Sequence, residues 1–525
     1  MPETSAARRT LPAGEPWWRH SVCYQIYMRS FADGNGDGVG DMAGIEQRLP
    51  YLADLGVDSV WITPFYTSPQ HDHGYDVADY RDVDPLFGTL ADFDAMLARS
   101  HELGIRVIVD LVPNHTSSEH EWFRAALAGD QAARERYVFR DGRGRDGARP
   151  PNNWRSVFGG PAWTRVEDGQ WYLHMFDPTQ PDLNWWNPDV GDEFESVLRF
   201  WLDRGVDGFR IDVAHGLFKP ADLADRRRGE TFPMWDQPEV HEVYRRWHQV
   251  LEEYDGDRMA VAEAWTDTPE SMARYIRPDE LQQAFNFHWL GASWSAAAFR
   301  DVVLETLAAV RPAGASATWV LSNHDVVRHV TRYGGGPIGV ARGRAAVLTM
   351  LGLPGSAYVY QGEELGLEQV DVAPEDRQDP AFFRGGDVGR DGCRVPLPWS
   401  GATPPFGFGP GQGQPWLPQP AQWKDLTVEA QRDDPDSTLS FYRKALAARR
   451  ALTPGLGDEV TMLTTAPGTL AFRRGNGAAG LVCMVNCGSR NARLPADAGE
   501  LLLSSGALSA NGMLPPDTAA WFRAT

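Results

Sequence analysis

At 525 residues the chain is too long for one small module and long enough for a large catalytic domain with one or two smaller ones. Its 50 basic and 71 acidic side chains leave a net charge of −21, which repels phosphate backbones and sets aside nucleic acid as a partner. The first twenty residues hold no apolar leader core, and no run reaches about 18 apolar residues, so a soluble, cytoplasmic protein without a membrane contact is expected.

Short β-branched runs alternate with longer amphipathic ones along most of the chain. The first strand is expected in "VCYQIYMR" (22–29). Directly after it comes "DGNGDGVGD" (33–41). Asp33, Asn35 and Asp37 stand at positions 1, 3 and 5 of a calcium-type loop, Gly38 at 6, Val39 at 7 and Asp41 at 9. Position 12 is Gly44, where a sensor needs a bidentate glutamate, and a strand precedes the loop where a sensor has a helix. That argues against a switching sensor and leaves two readings, a structural ion clip and a plain acidic turn.

A helix is expected over 42–56, with a kink or restart at Pro50. Strand "DSVWITP" (58–64) follows, then a helix capped by Thr89 and closed by Gly104, then strand "RVIVDLV" (106–112). About seventy-five residues, rich in Trp, Gly, Pro and Asn, separate Pro113 from the next helix near Asp189. That is too long for a simple connection, so 114–187 is read as an inserted domain. Helix 193–205 leads to strands "VDGFRIDV" (206–213), "RMAVAEAW" (258–265), "QAFNF" (283–287), "ATWVLSN" (317–323) and "SAYVYQG" (356–362). A loop-like stretch (366–434) containing the surface loop "PPFGFGPGQGQPW" (404–416) precedes a last helix at 437–452. Short strands between Gly and Asn turns then predict an antiparallel β-sandwich domain over 456–525. The four cysteines lack zinc spacing and read as buried free thiols, although Cys483 and Cys487 are near enough in sequence to pair.

Eight strands alternating with helices predict an α/β fold of the (β/α)₈ TIM-barrel type, formed by 1–113 and 188–455. A doubly wound open sheet is the alternative, but no Gly-rich phosphate turn follows the first strand. Barrel chemistry sits at the carboxyl ends of strands. Those ends carry Asp110, Asn114 and His115 (third), Arg210 and Asp212 (fourth), Glu263 (fifth), and His324 and Asp325 (seventh). One carboxylate at a strand end is ordinarily a cap or surface charge. Several at one mouth are costly unless a cation forms between them. Cleavage of a sugar acetal supplies such a cation and needs one carboxylate as nucleophile and one as acid. Arg210 lies on the same strand face as Asp212 and keeps it ionised. Glu263, between Ala262, Ala264 and Trp265, is expected in an apolar setting that favours the protonated acid. Asp325 is left to hold hydroxyls and the transition state. Twenty tryptophans suit a large core and also sugar rings, whose C–H faces pack on aromatic faces.

"DLVPNH", "GFRIDV", "AEAW" and "LSNHD", in this order, resemble the four signature regions of the α-amylase family of glycoside hydrolases (family 13). "QPDLNWW" (180–186), "HGYDVADY" and "YVYQGEELGL" resemble its oligo-1,6-glucosidase and α-glucosidase subfamily. The resemblance runs from Trp18 to about Leu452. It implies a retaining mechanism with Asp212 as nucleophile, Glu263 as general acid/base and Asp325 as transition-state stabiliser. It implies a pocket for the non-reducing glucose made by Asp72, Tyr75, His115, Arg210, His324 and Arg394, with Asp72 and Arg394 closing it behind the sugar. Phe158, Phe176 and Gln180 fall where the inserted domain of relatives contacts substrate; core packing is the competing reading for the two aromatics. It also points to a bound Ca²⁺ in the 33–41 loop, held by Asp33, Asn35, Asp37, Val39 and Asp41, as a structural ion.

The expected activity is therefore that of an exo-acting α-glucosidase on short α-glucosides, with transfer to alcohols, from a monomer or homodimer. A transferring or isomerising relative (trehalose synthase, sucrose isomerase or sucrose hydrolase) is the alternative. A non-catalytic barrel of the transporter-associated kind lacks the carboxylates and carries a membrane helix, the opposite of this chain. Val213 after the nucleophile resembles the α-1,6 type. "DVAHG", "NHDVVRH" and Trp186 depart from the subfamily pattern on the aglycone side.

Overall fold

The computed structural model describes residues 15–229, 232–385, 388–411 and 413–525. The leader reading of residues 1–14, and Gln412 within the 404–416 loop, lie outside them. Eight parallel strands form the central sheet: β1 Val22–Ile26, β2 Ser59–Ile62, β3 Arg106–Leu111, β4 Gly208–Ile211, β5 Met259–Ala262, β6 Gln283–Ala284, β7 Thr318–Val320 and β8 Ser356–Tyr360. The order is β6-β5-β4-β3-β2-β1-β8-β7. A parallel bridge from Phe285 to Thr318 joins the two ends into a barrel.

Strand parity builds the barrel interior. Side chains two apart share a face. Cys23, Trp61, Ile108, Val261, Phe285, Val320 and Tyr358 form one apolar cluster, one residue from nearly every strand. Their strand neighbours Tyr24, Val60, Val109, Ala260 and Val359 belong instead to the larger core under the helices. Two residues further along the inward register the chemistry changes: Gln25 on β1, Asp110 on β3 and Arg210 on β4. Asp110 and Arg210 are direct partners in the β3–β4 register. The polar layer thus sits on the apolar one, facing the mouth.

Several elements differ from the sequence reading. β1 stops at Ile26, and Met28–Phe31 is a turn of helix. β6 keeps only Gln283–Ala284 before helix Phe287–Leu290. The helix Met42–Leu55 runs unbroken through Pro50, whose exposed position lets the chain lose one amide hydrogen bond without burying an orphan carbonyl. Thr89 caps helix Leu90–Glu102 in a reciprocal box with Asp92.

Between β3 and helix Pro188–Asp203 the chain forms two short helices and a three-stranded antiparallel sheet of Phe139–Asp141, Gln170–Leu173 and Trp163–Arg165. Its small core of Val138, Trp154, Trp163, Leu173 and Met175 also takes Leu223 and Met234 from the loop after β4. The insertion is therefore anchored on the rim beside Asp212. After helix Thr438–Leu452, a five-stranded antiparallel sheet packs on the barrel, with Trp521 donating to the Leu348 carbonyl (3.0 Å). All four cysteines are unpaired; Cys487 is half-buried and the others are buried. No helix among the described residues is long and apolar enough to cross a membrane.

Candidate active site

One guanidinium organises the mouth. Arg210 is 1% exposed and bonds three carboxylates: Nη1 to Asp110 Oδ1 (2.9 Å) and Asp212 Oδ1 (2.6 Å), Nη2 to Glu263 Oε2 (2.8 Å). Asp110 adds bonds from Trp61 Nε1 (3.1 Å) and the Tyr75 hydroxyl (3.1 Å). The sequence places Asp110 at a strand end without a role; its register opposite Arg210 is the signal that assigns it one.

Glu263 does not sit in the apolar setting expected from its sequence neighbours. Oε2 also accepts the Val213 N–H (2.9 Å), and Oε1 accepts Trp265 Nε1 (2.9 Å). The flanking alanines point away from the carboxyl, as alternate residues of an extended chain do. Val213 has φ 46°, a left-handed conformation that costs a β-branched residue of order 1–2 kcal/mol. That turn aims its amide at Glu263.

Burial pushes the Asp212 carboxyl well upward; Arg210 opposes this, and Glu263 and Asp110 add to it. Burial likewise brings Asp110 up to about 7 against the pull of Arg210. One cation facing three buried carboxylates leaves the group holding a proton into the neutral range.

Asp325 follows β7. Burial alone raises its carboxyl, but the surrounding positive groups hold it well below the usual range. Burial drives the imidazole of His324 far down, so it is neutral, and the two arginines carry the effect. Arg394 Nη2 lies 3.0 Å and Arg390 Nη1 3.1 Å from Asp325 Oδ1. His324 completes a directed relay: Gln25 Nε2 donates to Nδ1 (2.7 Å), Nε2 donates to the Tyr75 hydroxyl (2.7 Å), and Tyr75 donates to Asp110.

The ion pair across the blind end involves Arg390. Its Nη2 meets Asp72 Oδ1 at 2.7 Å, and its guanidinium lies 4.9 Å over Phe158. Arg394, expected there, is fully buried; it bonds Asp325 and the His324 carbonyl and lies 5.2 Å over the Tyr27 ring. Gln180 braces Asp72 from behind (Nε2 to Oδ2, 3.1 Å). Burial raises Asp72 to about 6 despite Arg390 and Arg394.

These groups enclose a cavity of about 380 Å³. Of the residues expected from sequence, Asp72, Tyr75, His115, Phe158, Phe176, Asp212, Glu263, His324 and Asp325 line it. Arg210, Arg394 and Gln180 stand one layer behind. Val157, Val213, His215, Trp235 and Trp265 complete the lining; Trp265 stacks on Phe287 with centroids 3.9 Å apart. A larger cleft of about 1140 Å³, near Trp18 and Arg277, lies at the amino ends of the strands, away from the carboxylates.

In the 33–41 loop, Asp33, Asn35, Asp37, Asp41 and the Val39 carbonyl supply five hard oxygen donors. Asp33 Oδ1 accepts the Asn35 N–H (3.1 Å) and Oδ2 the Gly38 N–H (2.9 Å); Asp41 Oδ1 accepts the Gly34 (3.0 Å) and Gly44 (2.7 Å) amides. Asn35 Oδ1, Asp37 Oδ1 and Asp41 Oδ2 likewise accept N–H groups of the loop, and among the described residues no group of three or more His, Cys, Asp or Glu converges as a metal site; what speaks for Ca²⁺ is the all-oxygen chemistry of the set. Residues 404–411 and 413–416 form the outer wall: the Asp33 N–H donates to the Phe408 carbonyl (2.9 Å) and the Trp416 backbone N–H to that of Gly38 (3.0 Å). A Cβ at Gly38 (φ 91°) would come within 2.4 Å of the Gln414 carbonyl oxygen.

A barrel whose mouth gathers three carboxylates beneath a small closed cavity is built as a glycoside hydrolase. The chain belongs to the α-amylase family: residues 25–455 match the family described as alpha amylase, catalytic domain. It is 40% identical over 516 residues to a probable α-glucosidase of Rhizobium meliloti, covering 93% of this chain and 92% of the relative. It is 36% identical to the oligo-1,6-glucosidase of Parageobacillus thermoglucosidasius, covering 83% and 84% of the two chains. Among solved structures, an α-glucosyl transfer enzyme superposes with a TM-score of 0.88 at 39% identity, covering 97% of this chain and all of the other.

Proposed function

We propose that this is a retaining, exo-acting α-glucosidase that removes one glucose at a time from the non-reducing end of short α-glucosides. The observation that carries the reading is the Asp72–Arg390 ion pair, which walls off the cavity behind a single sugar. Asp212 attacks the anomeric carbon from the β face. Glu263 gives its proton to the departing oxygen from the α face. Oε2 accepts the Val213 N–H and faces the Arg210 cation at 2.8 Å, so the proton is carried on Oε1, with Trp265 holding that oxygen in place. Asp325, kept ionised by Arg390 and Arg394, binds ring hydroxyls and stabilises the oxocarbenium-like state. Water activated by Glu263 then releases α-glucose. Proton NMR of the first turnover is expected to show α-glucose; early β-glucose would mean inversion. Initial rates over α-1,2, α-1,3, α-1,4 and α-1,6 disaccharides then define the linkage.

Similarity to the α-glucosyl transfer enzyme supports a second capacity, passing the glucosyl unit to an acceptor hydroxyl on the half-exposed Trp265 side. Glucosyl products accumulating from maltose with added alcohol would establish it. Trehalose or isomaltulose in place of glucose would favour the isomerising alternative.

Ca²⁺ is proposed for the 33–41 loop, held by Asp33, Asn35, Asp37, Asp41 and the Val39 carbonyl, where it would neutralise the acidic turn and brace β1 to its helix. Chelation is expected to lower the melting temperature while the folded fraction keeps its specific activity. An unchanged melting curve after exhaustive chelation would make the loop a plain turn.

A further inference from the structure

The turn after β4, Val213–Gly216, carries the amide aimed at Glu263 and stands in a conformation its sequence disfavours, since Val213 is β-branched and left-handed (φ 46°). Two of its carbonyls are met by the chain itself. Val213 O accepts the Gly216 N–H (2.8 Å), and His215 O accepts the Asp236 N–H (2.7 Å). The third, on the fully buried Ala214, accepts the hydroxyl of Tyr244, a side chain of helix Val240–Glu252 between β4 and β5. Tyr244 is itself fully buried, with its ring centroid 5.6 Å from that of Trp247 and 5.8 Å from that of Tyr275. Burial pushes its phenol well above the ordinary value, so the hydroxyl stays a donor. Tyr244 does not line the sugar cavity and acts on it only through the turn.

We infer that Tyr244 is a positioning residue for the acid/base Glu263: its hydroxyl pins the Ala214 carbonyl, which keeps Val213 left-handed and its N–H on Glu263 Oε2, so that Oε1 is left for the departing oxygen. Turn and acid/base are also joined at the backbone, where the Ala214 N–H donates to the Glu263 carbonyl (2.8 Å). Without the hydroxyl, the Ala214 carbonyl is a buried acceptor with no donor, and the strain at Val213 gives the turn a direction in which to relax. Rotating Val213 out of the left-handed region carries its amide away from Oε2. The nucleophile is not tied to this brace: Asp212 keeps its bond to Arg210 (2.6 Å), and its N–H donates to the Leu111 carbonyl (2.8 Å).

The inference rests on the glucosidase reading. It is tested with Tyr244→Phe, which keeps the ring and removes the donor. The kcat/KM for phenyl α-glucoside, whose leaving group needs a proton, is expected to fall about 10-fold, and that for 2,4-dinitrophenyl α-glucoside to stay within about 2-fold of wild type. Tyr24→Phe removes a different buried hydroxyl, the one on Glu364 (2.7 Å); it should lower the melting temperature and leave the dependence on leaving group unchanged. In a Val213→Gly background the left-handed turn is unstrained, so adding Tyr244→Phe should change the phenyl glucoside rate by no more than about 2-fold. An equal effect on both leaving groups, or the same loss in the Val213→Gly background, overturns the brace. Should Tyr244→Phe alone not fold, the Val213→Gly/Tyr244→Phe pair is expected to fold; a pair that stays unfolded makes Tyr244 a packing residue and overturns it too. If the wild type cleaves no α-glucoside, the glucosidase reading fails; the crystal structure of Tyr244→Phe then decides the brace, and a Val213 φ that stays near 46° overturns it.

Discussion

Asp212→Gly is expected to lose about 10⁴-fold or more in kcat, and to regain turnover with azide as β-glucosyl azide. Removing the carboxylate opens the β face of the sugar, and azide attacks from the vacated space while Glu263 still protonates the leaving group. An α-azide product would place the nucleophile elsewhere. The companion variant Asp212→Asn tests the electrostatics. Burial raises the Asp212 pKa in the fold above its unfolded value, so this carboxyl contributes stability at low pH and loses it as pH rises through the folded value. Asparagine cannot ionise, so the inactive variant is expected to melt higher at neutral pH, by roughly 2 °C. A lower melting temperature would mean that the bond to Arg210 outweighs the cost of the buried charge.

Glu263→Ala produces the opposite stereochemical signature. The glucosyl–enzyme still forms from a substrate with a good leaving group but waits for an activated water, so kcat falls about 10²–10⁴-fold. Azide then enters from the α face and gives α-glucosyl azide. With a poorer leaving group the loss in kcat/KM should grow, because protonation of the departing oxygen is what the alanine removes. If the loss were equal for good and poor leaving groups, Glu263 would not be the acid.

Strand-end arithmetic made the placement of Asp212 and Glu263 at the mouth legible, since each lies two residues beyond an inward position, Arg210 and Val261; Asp325, off that parity, reaches the cavity from the loop after β7. The barrel was legible for the same reason, since eight β-branched runs alternate with amphipathic helices. Side-chain reach was not. Arg390 and Arg394 share the string "GRDGCR", and only the helical turn of Asp391–Arg394 decides which one crosses to Asp72. The surroundings of Glu263 were misread because Ala262 and Ala264 are its neighbours in sequence but not around its carboxyl. Arg210 and Val213, on the adjacent strand and its turn, are those neighbours. The kink or restart expected at Pro50 is absent because tertiary packing carries the helix through it.

The acidic turn and the 404–416 loop meet at the Asp33–Phe408 and Trp416–Gly38 bonds, yet they follow the first strand and the last. During synthesis, the turn leaves the ribosome almost at once, and its outer wall only after the barrel is nearly complete. A nascent chain stopped before residue 404 would carry every proposed ion ligand without the enclosure. Tight ion uptake would then mark the closing of the barrel, late and cooperative, and would not nucleate the amino-terminal half.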